Sequence, residues 1–139
     1  MKGLNRPGKS GGSKFPGAVQ LALRIVHQYR VIEAPDERGP WKVSTAGYMY
    51  SLEDLEGHEL LAYHWHPADP NPIKTPHLHL GAASGANALS AAAHFPTGRI
   101  AVEDVIRVLI RDFGVAPRRD DWPEVLNEAQ EAFNTWRTW

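Results

Sequence analysis

The stretch from Trp41 to His66 constrains the fold most. A run rich in β-branched and aromatic residues, Trp41–Leu52, and a returning run, His58–His66, flank the short acidic segment Glu53-Asp54-Leu55-Glu56-Gly57. Such runs on either side of a Gly-ending turn read as an antiparallel hairpin. Upstream, Val19, Leu21, Leu23 and Ile25 alternate with Gln20, Ala22 and Arg24. That is the period of a half-buried strand, expected over Gln20–Glu33 in preference to the helix that Leu, Ala, Arg and Gln would also suit. Pro35 to Pro40 reads as a loop. Pro67, Pro70 and Pro72 break the sheet, because proline cannot donate to a ladder. Ile73–Leu80 reads as a further short strand.

The C-terminal third changes period. Val102, Val105, Ile106, Leu109, Ile110 and Phe113 share one face of a helix expected over Ala101–Phe113, which Gly114 ends. Glu103, Arg107 and Arg111 follow each other at four-residue steps on another face. Asp121, Pro123 and Glu124 have the order of a second helix start, with Asp121 as cap. Residues 81–100 carry no clear signal beyond a helical turn or two at Ala88–Ala93. Strands first and helices last imply an α+β fold: an antiparallel sheet from the N-terminal two thirds, with two C-terminal helices packed on one face.

The 139 residues suit one domain, and none is cysteine. A cysteine-free chain excludes thiol catalysis and thiolate metal sites, and points to the cytoplasm. No apolar run approaches the roughly 20 residues of a membrane span. Net charge is −1 but uneven: residues 1–30 carry +6 and no acid. Residues 1–17 read as a flexible basic arm and 18–139 as the folded domain. The arm is either a solvated tail or a guide for phosphates.

Four of the seven histidines fall in 16 residues, as the pairs His64/His66 and His77/His79. If Trp65 and Leu78 face the core, both pairs face away from it. Residues i and i+2 on a strand stand roughly 7 Å apart and paired strands about 5 Å apart. Four imidazoles then share one surface. A rough hairpin register sets Gly47 opposite His64, leaving room for a ligand. Two chemistries fit. Imidazoles titrating near neutrality act as acid and base, as self-cleavage of RNA at its 2′-hydroxyl requires. Neutral imidazoles also bind zinc or another divalent transition metal. Lys74 and Arg99 are the candidate phosphate cations, and Tyr48 and Tyr50 complete the candidate substrate side. His27, His58 and His94 stand alone, though His94 could reach the site from a loop. A non-enzymatic reading makes the histidine face and the aromatic hairpin an interface for a partner.

Tyr48-Met49-Tyr50-Ser51-Leu52, Asp54 to Gly57, Leu61-Ala62-Tyr63-His64 and Thr75-Pro76-His77-Leu78-His79 together resemble the TumE-like toxins of two-gene toxin–antitoxin modules. The resemblance spans about residues 45–113. Ala62-Tyr63-His64-Trp65 stands where that family usually has an Arg-Tyr-Asp-Asn type motif. The resemblance implies a bacterial toxin acting on RNA, hence a ribonuclease, and a cognate antitoxin as partner. On this reading His64, His66, His77 and His79 would carry metal-independent cleavage. The alternative is a histidine-ligated metalloprotein or metallohydrolase. A homodimer is also open.

Overall fold

The computed structural model describes residues 20–68, 70, 72–85 and 93–137. The basic arm, most of the alanine-rich stretch and Trp139 lie outside them. Among the described residues five strands form one antiparallel sheet in sequence order: β1 (Leu21–Asp36), β2 (Gly39–Asp54), β3 (Glu59–Trp65), β4 (His77–Leu80) and β5 (Phe95–Pro96). Two helices follow, α1 (Val102–Arg111) and α2 (Trp122–Trp136). The α+β class and the order of its elements are those the sequence implies. No helix among the described residues is long and apolar enough to cross a membrane.

Alternation along the strands sorts the two faces. Tyr48, Tyr50 and Leu52 pair across β2–β3 with Trp65, Tyr63 and Leu61. These six side chains share the face toward the helices. Tyr48 and Tyr50 stack with ring centroids 4.7 Å apart, and with Trp65 they meet Val105 of α1 in the core. The Tyr48 hydroxyl accepts the Ile100 N–H at 3.0 Å, which fixes the chain as it enters α1.

The second helix attaches differently. None of its residues is buried. The Arg107 guanidinium donates to Asp104, Gln130 and Asn127, and Gln130 Nε2 donates to Asp104 at 2.8 Å. So α1 covers the sheet and α2 is tied to α1. At the other end, the Arg38 guanidinium lies 3.5 Å from the centre of the Trp136 ring, linking the β1–β2 turn to α2. Asp121 takes the cap position of α2 and its backbone carbonyl accepts the Val125 N–H at 3.2 Å, but its side chain makes no hydrogen bond to that helix. Its carboxylate is held instead by Arg119, at 2.6 and 2.8 Å.

The hairpin register differs from the expectation. Met49, not Gly47, lies opposite His64. The turn, closed at Asp54–His58, moves the pairing by one residue, and a bulge at Leu52/Glu53 moves it by one more. Asp54 Oδ1 accepts the N–H groups of Glu56 and His58, both at 2.9 Å. An offset there moves every later pair. The loop expected before Trp41 is also shorter: β1 and β2 run on to a tight turn at Asp36–Gly39. The strand expected from Ile73 begins only at His77.

Candidate functional site

With Leu61, Tyr63 and Trp65 turned to the helices, His64 and then His66, just past the end of β3, turn to the other face. On β4, Leu78 and Leu80 alternate with His77 and His79. The β3–β4 register places His64 directly opposite His77 and Ala62 opposite His79. Ala62 is fully buried, and its short side chain leaves His79 space to lean toward His64. A fifth imidazole joins them. β5 pairs His77 with Pro96 and Leu78 with Phe95, so the next residue, His94, comes alongside His79. Their ring centroids are 4.3 Å apart. The other close pairs are His64–His79 at 4.5 Å, His77–His79 and His77–His94 at 5.0 Å, and His66–His77 at 5.4 Å.

His77 is the hub. It is 1% exposed, and its Nδ1 stands 2.7 Å from the Thr75 carbonyl oxygen. A carbonyl only accepts, so Nδ1 carries the proton and donates. In the neutral ring Nε2 then keeps a free lone pair. Among the described residues nothing hydrogen-bonds that nitrogen, nor the buried Nε2 atoms of His64 and His79. Buried polar atoms without partners are uncommon and costly. Here three of them gather at one place.

The charge state follows from the same crowding. Burial first, then the neighbouring imidazoles led by His79, push the His64 pKa down to about 4. Burial first, then His94, His77 and His66, push His79 down to about 4 as well. Both rings are neutral bases at pH 7.

Ring nitrogens of His64, His66 and His77 lie within 4.8 Å of one another, and so do those of His77, His79 and His94. Tetrahedral ligands at the usual zinc–nitrogen length of about 2.0–2.1 Å stand roughly 3.4 Å apart. Small side-chain movements therefore close either triad. The triads share His77, and that ring has only one nitrogen to give. A third group, Asp54, Glu56 and His58, sits on the β2–β3 turn. Its atoms are already engaged: Asp54 holds the turn, and its Oδ2 is 3.0 Å from His58 Nδ1.

Beside the histidines a cavity of about 460 Å³ opens, lined by His64, His66 and His79 and, from the neighbouring strands, by Val26, Gln28 and Met49. Gly47 helps to shape this region from two residues beyond its expected place. A Cβ there would meet the Trp65 carbonyl oxygen at 2.8 Å and Gln28 Oε1 at 2.9 Å.

The expected histidines thus come together, and of the expected substrate side only Tyr48 borders the cavity. Tyr48 and Tyr50 are 4% and 2% exposed with their rings on the opposite face of the sheet, packed under α1, although Tyr48 also borders the cavity. Their alternation with Met49 turns them away from the imidazoles. The Arg99 guanidinium lies 3.6 Å from the centre of the Trp65 ring, also on the helix side. Lys74 is exposed ahead of β4 and lines neither the cavity nor a triad. His27 pairs with Thr45 at 3.1 Å, away from the cluster. His94 is the member that spacing alone did not assign. Only the β4–β5 register brings it to His79, 15 residues away in the chain. No family model, curated protein or solved structure matches the chain.

Proposed function

We propose that the chain is a histidine-ligated metalloprotein, holding one divalent transition ion at the imidazole cluster beside its cavity. One observation carries this reading: the unpartnered buried Nε2 of His77, with the ring fixed by the Nδ1–H bond to Thr75. A carbonyl on one ring nitrogen sets the tautomer and orientation of a ligating imidazole. An all-nitrogen ligand set suits zinc, nickel, copper or iron. Either triad leaves coordination positions for water or substrate, the arrangement of a catalytic rather than a closed structural site. With the cavity alongside, hydrolysis by a metal-activated water is the reaction class this arrangement favours.

Metal-independent acid–base cleavage needs one imidazole protonated as the acid. His64 and His79, held near 4, supply bases but no acid at neutral pH. RNA as substrate and an antitoxin as partner are further proposals that rest on the TumE-like resemblance. Expression of the chain in a bacterial host tests them: growth arrest by the wild type and none by His77→Ala would support toxicity, and unaffected growth would remove it.

The metal reading is tested by elemental analysis of the purified protein after equilibration with zinc, nickel, copper, iron and manganese. About one ion per chain is expected, lost in His77→Ala. A wild type without bound metal would end this reading.

A further inference from the structure

The even-numbered residues of β1 share the histidine face, since Val26 pairs with Met49 in the row that continues to His64 and His77. Val26 and Gln28 line the cavity, and the next residue on that face is Arg30. Roughly 7 Å separates successive same-face residues on a strand. A second cavity, of about 210 Å³, lies there, lined by Arg30, Ser44, Pro67 and Ala68 among others. Gln28 lines the first cavity and Arg30, the next residue on that face, lines the second, while Trp65 borders both from the helix side, so the two adjoin along one cleft. Ser44 faces Arg30 directly across β1–β2. A bulge at Gln28/Tyr29, with Ala46 as the extra residue, turns the strands just where the second cavity begins.

Arg30 has no acidic partner among the described residues, and the Ser44 hydroxyl has no hydrogen bond there. The acid at the hairpin tip is already occupied: Asp36 binds Lys42 at 3.0 Å and Arg38 at 3.4 Å. A guanidinium fork with a hydroxyl beside it matches an oxyanion, which accepts two parallel N–H bonds. We propose that the Arg30 cavity is the anion subsite of this cleft, and that the substrate carries a phosphate, or another oxyanion, seated between Arg30 and Ser44. Its reacting end then reaches the histidines. That last placement rests on the metal reading; the anion subsite does not.

Calorimetric titration with inorganic phosphate at low ionic strength tests the subsite, on zinc-treated and on chelator-treated protein. Saturable one-site binding is expected in both. Arg30→Gln should weaken it roughly tenfold or more, and Arg30→Lys, which keeps the charge but not the fork, by less. Melting temperature and zinc content should be unchanged, because the side chain is exposed and outside both triads. A parallel titration with acetate that also depends on Arg30 supports an oxyanion site, and the tighter of the two ions names the class. No saturable phosphate binding by the wild type would overturn the proposal. So would binding that Arg30→Gln leaves intact, including binding that appears only with zinc. Loss of zinc uptake with Arg30-dependent phosphate binding preserved would remove the metal reading and leave this one standing.

Discussion

At the scale of single residues, the site is decided by which ring nitrogens are already bonded. His77 gives Nδ1 to Thr75 and keeps Nε2 for a ligand. Removing the ring removes the nitrogen common to both triads, so His77→Ala should abolish metal uptake. His94→Ala breaks only one triad and should weaken uptake without abolishing it. Equilibrium dialysis with zinc separates the two, and equal losses would contradict the hub role of His77. The pH dependence of the metal-free protein follows from His64 and His79. Their folded pKa values, about 4, lie below the ordinary histidine value near 6.5. The unfolded chain therefore binds more protons through that window, and stability falls as pH falls. The contribution is whole above about pH 6.5 and gone below about pH 4. Thermal melts in chelator should show the decline between those limits, less steep in His64→Gln. A melting temperature flat from pH 7 to 4 would speak against neutral, crowded imidazoles.

At the scale of elements, the strands are rigidly registered and α2 is lightly held. Leu52 is 1% exposed between the sheet and the helices, and Leu52→Ala should cost about 2–5 kcal/mol in denaturant unfolding. A cost under 1 kcal/mol would mean the core lies elsewhere. Gly47→Ala forces a Cβ against the Trp65 carbonyl, a backbone atom that cannot rotate away. It should destabilise by about 1–3 kcal/mol. The bond of α2 to α1 runs through Arg107. Arg107→Ala should speed amide exchange across 122–136 while leaving β2 and β3 protected, and uniform exchange across the chain would refute that separation. Much of this was legible beforehand. Alternation in 58–66 and 77–80 reveals which face each histidine takes, because side-chain direction is a local property. Register is not local. The closure of the turn at Asp54–His58 and the bulge at Leu52/Glu53 each move the pairing by one residue, so Met49 takes the place expected of Gly47. The composition of β2 offers Tyr48 and Tyr50 as binding residues, and the fold buries both rings beneath α1, where their large area packs against Val105.

At the scale of the whole molecule, one sheet separates two environments. The helix face holds the tyrosines, Trp65 and the stacked Arg99; the other holds five imidazoles and a cleft ending at Arg30. His94 shows why the site was only partly readable from the chain: β5 is two residues long and leaves little trace in composition, yet its pairing completes the second triad. Since a ligand that binds only the folded state stabilises it by mass action, zinc should raise the melting temperature of the wild type and leave that of His77→Ala unmoved. X-ray absorption at the zinc edge of the loaded protein tests the central claim most directly. Nitrogen neighbours at about 2.0–2.1 Å, with the outer-shell scattering of at least three imidazoles, are the expected result. A shell made only of oxygen, or a protein that retains no zinc to measure, would contradict it.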